Sequence, residues 1–154
     1  MSTEPWLTDE QQEIWRDWLS VQTRLPAVLN RELQADQQLS LPDFDVLVHL
    51  SEAEDNRLRM SALAEELNWE QSRLSHQVSR MEKRGLVYRE PCPQDARGSF
   101  ACLTDQGRGR LEAAAPGHAR TVRALLFDHL DADEQATLAG LVRRVLDRVA
   151  VAEA

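Results

Sequence analysis

Cysteine is scarce in this chain, tyrosine scarcer, and no stretch stays apolar for long. Two cysteines, Cys92 and Cys102, cannot staple a small fold, which excludes a disulfide scaffold and makes a reducing cytoplasm the expected compartment. No run approaches the ~18 apolar residues of a spanning helix, and the N-terminal MSTEPWLTDEQQE has neither the basic stretch nor the apolar core of a secretory signal, so no membrane role is expected. Six glycines and six prolines in 154 residues exclude a collagen-like or low-complexity chain. Catalytic signatures are missing too. There is no nucleophile beside a base, no glycine-rich phosphate loop and no carboxylate pair in an apolar setting, so an enzyme is not expected, and no catalytic residue is named. No His, Cys or acid cluster has metal-ligand spacing, so neither a metal nor a cofactor is expected. Basic residues are the minority, 18 Lys+Arg against 26 Asp+Glu, for a net charge of −8.

That average hides an uneven distribution. Residues 57–97 hold eight basic side chains and six acids, a net of +2, while the remainder holds 10 basic and 20 acidic residues, a net of −10. A mildly basic middle between acidic flanks suits a DNA-binding lobe on an acidic scaffold. With 42% hydrophobic residues, the length suits one domain, or one domain with helical extensions.

Periodicity places the elements. A first helix is predicted from a Thr8-x-x-Gln11 capping box, with Ile14, Trp15, Trp18, Leu19, Leu25, Val28, Leu29 and Leu33 as its stripe and Pro26 kinking or dividing it. A second starts at Pro42, apolar nearly all round and hence buried. Ser51 to Asn56 reads as a solvated loop. Two short helices follow, Ser61 to Leu67 with Ser61 as N-cap, and Glu70 to Arg84 with Gly85 as its stop. Residues 86–89 and 99–103 alternate like strands about a turn-rich 91–98, predicting a β-hairpin. In the tail, Leu111, Ala115, His118, Val122, Leu125, Leu126 and His129 share a face that Pro116-Gly117 must bend or interrupt. Asp131-x-x-Glu134 caps a last helix carrying Leu138, Leu141, Val142, Val145, Leu146 and Val149.

The two short helices form a helix-turn-helix, with Leu63, Ala64 and Leu67 facing Trp69, Leu74, Val78 and Met81, and Asn68 in a turn that asks for a left-handed backbone. The outward face of the second carries Gln71, Ser72, Arg73, Ser75, His76, Ser79 and Arg80. From Gln71 to Met81 there is no acid at all, in a chain that is acidic overall. A helix entering a major groove needs such a carboxylate-free face.

Leu63-Ala64-x-x-Leu67, Arg80-Met81-Glu82-Lys83-Arg84-Gly85-Leu86-Val87, Asp95-x-Arg97-Gly98 and Leu103-Thr104-x-x-Gly107 together resemble the MarR family of bacterial winged-helix regulators. The resemblance runs from the first helix to the last. It implies a mainly α fold with a small β-hairpin wing, ordered α-α-(β)-α-α-β-β-α-α and dimerised through its N- and C-terminal helices. Residues 8–40 then form a dimerisation helix, 41–104 the winged helix-turn-helix lobe and 105–154 the C-terminal dimerisation helices. It implies that Arg97 reaches the minor groove and that Asp95 shapes the wing, beside Gly98. Asn68 for the usual turn glycine, Trp69 for a small aliphatic residue and Arg73 for a small hydroxyl residue depart from the pattern.

On this reading Arg73, Gln71 and His76 face base edges. Ser72, Ser75, Ser79 and Arg80 face phosphates, and Arg89 adds a hairpin cation. The expected function is a homodimeric repressor of a pseudo-palindromic operator, released by a small aromatic or anionic effector, with Trp15, Trp18, Phe44 and His49 as candidate pocket residues. The alternative is a winged-helix interaction or architectural module without specific readout. A hairpin centred on Asp95 sets Cys102 opposite Tyr88, roughly 13 Å along the strand from Cys92 and beyond disulfide reach.

Overall fold

Side-chain chemistry at the helix ends accounts for most element boundaries in the computed structural model, which describes residues 6–154. Helix α1 (Asp9–Gln37) starts where the Thr8 hydroxyl accepts the Gln11 N–H and the Gln11 side chain accepts the Thr8 N–H, the expected capping box. It runs through Pro26 without dividing and ends at Gln38 in the left-handed region. Leu39, fully buried, turns the chain into α2 (Leu41–Glu52). That helix opens with a second capping box, Ser40 with Asp43, and Pro42 lies in its first turn, where no backbone donor is lost. As expected it is central: Phe44, Val46, Leu47 and Leu50 are all buried.

The stretch read as a solvated loop is more ordered than its acidity suggested. Helix α2 continues to Glu52, and a 3₁₀ turn follows at Glu54–Asn56, with Asp55 and Asn56 both at positive φ. Short polar side chains tolerate that backbone. Strand β1 (Arg57–Arg59) comes next and leads directly into α3 (Met60–Leu67). Ser61 is therefore not the N-cap. Arg59 holds that position without a side-chain cap bond, since a guanidinium has no acceptor; pairing with a neighbouring strand fixes its extended backbone instead.

Asn68 ends α3 at φ 53°, ψ 45°, and its N–H and that of Trp69 return to α3 carbonyls. Helix α4 (Gln71–Lys83) follows, stopped by Gly85 at φ +74°. Leu63, Ala64, Leu74, Val78 and Met81 form the buried seam between α3 and α4, while Leu67 and Trp69 pack against it half-covered. Seven of the larger core side chains, Leu39, Leu47, Leu50, Leu63, Leu74, Met81 and Leu86, are wholly removed from solvent, each worth about 1.5–3 kcal/mol in transfer terms.

Strands β2 (Val87–Pro91) and β3 (Ser99–Leu103) make the antiparallel hairpin, with Tyr88 opposite Cys102 and Pro91 opposite Ser99, so the turn is centred on Asp95. Strand β1 pairs with the far edge of β3, giving a three-stranded sheet of order β1-β3-β2. The fold is mainly α with this small sheet.

Helix α5 (Asp105–Val122) begins at a tight junction. The Thr104 hydroxyl donates to the carbonyls of Gly85 and Leu86 and accepts the Gly107 N–H. A side chain on Gly107 would sit 2.1 Å from the Leu86 carbonyl oxygen, so only glycine lets α5 approach. The Leu103-Thr104-x-x-Gly107 motif is thus a helix cap and its close-approach point. The helix continues through Pro116-Gly117, and the irregularity falls later, as a π-helical turn at Arg123–Phe127. Leu111 and Ala114 reach the core, whereas Ala115, placed on the inner face by the sequence pattern, is exposed.

The chain divides into two compact units, one reaching to Gly117 and the other His118–Ala154. The second holds the end of α5, the π-helical turn and α6 (Ala132–Glu153), whose Asp131–Glu134 capping box forms as expected. Leu141, Val142, Val145, Leu146 and Val149 lie exposed along α6.

Candidate nucleic-acid interface

Helix α4 divides sharply by side. Leu74, Val78 and Met81 point inward, while Gln71, Ser72, Arg73, Ser75, His76 and Arg80 are exposed and Ser79 is half-buried. The outward residues named from the sequence therefore share one polar surface, and no carboxylate interrupts it between Gln71 and Met81.

Four of these residues are held by neighbours. The Ser75 and Ser79 hydroxyls each accept from Arg89 Nη atoms at 3.1 Å, and the Ser75 carbonyl accepts at 2.8 Å. Glu82 completes the clasp, its carboxylate taking Arg89 Nη1 at 2.7 Å and the Arg89 N–H at 2.8 Å. Arg89 thus fastens β2 to α4, a role the sequence did not suggest. Arg80 donates to Gln77 Oε1 at 2.6 Å. Arg73 lies over the Trp69 ring, 4.2 Å from its centroid.

At the hairpin tip, Asp95 organises the turn. Its Oδ1 accepts the Arg97 N–H at 3.0 Å and its carbonyl the Gly98 N–H at 3.0 Å, while Cys92 and Gly98 close the base. Arg97 is exposed. Behind the tip, Arg59 Nη2 donates to Cys92 Sγ at 2.8 Å. The backbone N–H of Gln94 and then the Arg59 guanidinium hold the Cys92 thiol below its ordinary range. Burial pushes the Cys102 thiol up instead. Both cysteines are free and buried. On the same sheet face Arg57 pairs with Glu90 at 2.8 Å and covers the Phe100 ring.

Beneath α4 lies a polar network that the sequence reading missed. Asp43, only 3% exposed, accepts from Gln77 Nε2 and from Arg84 Nη1, each at 2.6 Å, and from the Ser40 N–H at 2.9 Å. Arg84 also donates to the Gln38 carbonyl. The network borders a cleft of about 420 Å³ whose walls come from α1, α2 and α4. A polar Gln77 on the inward side of an otherwise apolar helix face was its one visible sign.

The four candidate effector residues are placed unevenly. Phe44 belongs to the core, Trp15 and Trp18 are 49% and 43% exposed on α1, and the His49 ring Nδ1 lies 2.8 Å from the Asp45 carbonyl oxygen. Among the described residues no group of three or more His, Cys, Asp or Glu side chains is arranged to hold a metal ion, and no helix is long and apolar enough to cross a membrane.

A three-stranded sheet whose hairpin stands beside a second helix with no carboxylate between Gln71 and Met81 defines a winged helix-turn-helix, a DNA-binding class. A model of the MarR family matches residues 37–98. The MarR family transcriptional regulator Sco3205 from Streptomyces coelicolor, solved in complex with DNA, is 43% identical with a TM-score of 0.88, the match covering 94% of this chain and 91% of that one. The PcaV transcriptional regulator from Streptomyces coelicolor, solved with its natural ligand, is 30% identical with a TM-score of 0.68, over 82% of this chain and 89% of that one. The HTH-type transcriptional repressor YetL of Bacillus subtilis (strain 168) is 27% identical over 117 residues, 76% of this chain and 70% of that protein. The protein is a MarR-family transcriptional regulator. Members of that family are DNA-binding regulators, not enzymes.

Proposed function

We propose that this regulator is a homodimeric cytoplasmic repressor that binds a pseudo-palindromic operator and leaves it when a small aromatic or anionic effector binds. The observation that carries the reading is the outward face Gln71, Ser72, Arg73, Ser75, His76, Ser79 and Arg80, all exposed but the half-buried Ser79 and free of carboxylates, with exposed Arg97 at the tip of the following hairpin. Helix α4 enters the major groove, Arg73, Gln71 and His76 meet base edges, and serine hydroxyls with Arg80 meet phosphates. Arg97 enters the minor groove, where a narrow groove concentrates negative potential. Asp95 and Gly98 shape the turn that presents it. Arg89 serves mainly by tying the two DNA-facing elements together.

Residues 8–40 and 105–154 supply the dimer surfaces and 41–104 the DNA lobe. The apolar face Ile14, Trp15, Trp18 and Leu19 on α1 and, separately, that of α6 are exposed in the single chain, as surfaces awaiting a second copy are. The repressor and effector assignments draw on YetL and PcaV respectively. Trp15, Trp18 and His49 make up the rest of the proposed effector set, at the edge of the α1 surface that a second copy would cover; Phe44 serves it only from within the core.

Selection from a randomised duplex library tests this reading. The wild type should enrich an inverted repeat with half-sites about one helical turn apart. Arg97→Ala should bind the enriched duplex at least about tenfold more weakly while remaining a dimer. Failure to enrich any sequence would favour an interaction or architectural module instead.

A further inference from the structure

Two residues of the helix-turn-helix that look unrelated in sequence meet in space. Trp69 is fixed from both ends: its backbone N–H donates to the Ala64 carbonyl at 2.8 Å, and its ring is half-covered by the core seam. Arg73, in the first turn of α4, lays its guanidinium 4.2 Å from the centroid of that ring. No hydrogen bond or ion pair engages the Arg73 side chain among the described residues, and the helix carries no carboxylate before Glu82 that would draw it elsewhere.

An arginine on an open helix surface samples many rotamers, and ordering it opposes binding. Stacking on an aromatic face restrains the guanidinium while using none of its five N–H donors. That matters for one kind of contact above all. A phosphate can be met from many directions and gains little from a fixed pose. A guanine edge requires two parallel donors aimed at O6 and N7, which a restrained fork supplies. The first turn of a recognition helix is also where base edges come within reach.

We propose that Trp69 is a specificity-positioning residue: its ring holds Arg73 in the pose that reads a guanine in each half-site. Trp69 and Arg73 then act as one reading unit, with Trp69 touching no base. The proposal rests on α4 being the groove-entering helix, as argued above.

The test uses the full-length protein and the duplex enriched by the wild type, with each guanine replaced in turn by 7-deazaguanine, which removes the N7 acceptor. For the wild type, one guanine per half-site should cost about tenfold in affinity when so replaced. Arg73→Ala should bind modified and unmodified duplexes equally. Trp69→Leu, which keeps an apolar side chain on the core, should shrink the effect to within about twofold, while its affinity for a random-sequence duplex stays within about twofold of wild type. Trp69→Phe, retaining a ring, should recover most of the sensitivity. Adding Trp69→Leu to Arg73→Ala should change nothing further. Should Trp69→Leu lose its helical signal, Trp69→Met fills the same space without a ring and carries the comparison. Full 7-deazaguanine sensitivity in the ring-less variants, or additive losses in the double variant, would overturn the positioning role and leave the regulator reading intact. A wild type that enriches no sequence would overturn both.

Discussion

Asp43 is the most constrained single residue of the lobe. Its carboxylate accepts from Gln77, Arg84 and the Ser40 N–H, joining the cap of α2 to the middle and the C-terminal end of α4 while almost wholly buried. Removing it leaves buried donors without acceptors, which costs more than the bonds themselves were worth. Arg84 is 39% exposed and recovers some hydration, so Asp43→Ala is expected to cost about 2 kcal/mol, read as a lower urea midpoint at unchanged slope. This residue was invisible in the sequence because an aspartate near a helix start reads as an ordinary solvated cap. Its second role depends on a glutamine 34 positions away. The outward face of α4 was legible for the opposite reason: helical spacing alone fixes which side chains point away from Leu74, Val78 and Met81.

Elements were legible where the determinants are local. The capping boxes at Thr8 and Asp131, the left-handed turn at Asn68, the stop at Gly85 and the Tyr88–Cys102 register all follow from a few adjacent residues. Strand β1 was legible only as an option, because three residues, Arg-Leu-Arg, carry too little pattern and their partner lies more than forty positions downstream. The missed end of α2 and the false cap at Ser61 flank that strand and share its cause. Helix α5 offers a paired test of element packing. Gly107→Ala drives a methyl group into the Leu86 carbonyl and should cost about 3 kcal/mol or more. Gly109→Ala meets open space and should stabilise by up to about 1 kcal/mol. Thermal melts of the two variants should shift in opposite directions.

At the scale of the molecule, large apolar side chains lie exposed on α1 and, separately, on α6, the kind of surface that marks an interaction site. On the homodimer reading, the double variant Val145→Glu, Leu146→Glu should sediment as a monomer. It should also lose about a hundredfold in affinity for the enriched duplex, since each lobe then holds its half-site alone. The sequence showed these stripes but not their exposure, because an apolar heptad looks the same whether its own chain or another covers it.

The Arg89 clasp sets a further limit on that assembly. Glu82, Ser75 and Ser79 are all bound to one guanidinium on β2, which ties the hairpin to α4. On the proposed contacts of α4 and the hairpin with adjacent grooves, the pair works as a fixed-gauge calliper, and the reach from groove to groove is set by the protein and must be met by the duplex. Twist and groove width between the contacted steps then become part of the recognised message, even at base pairs that no side chain touches.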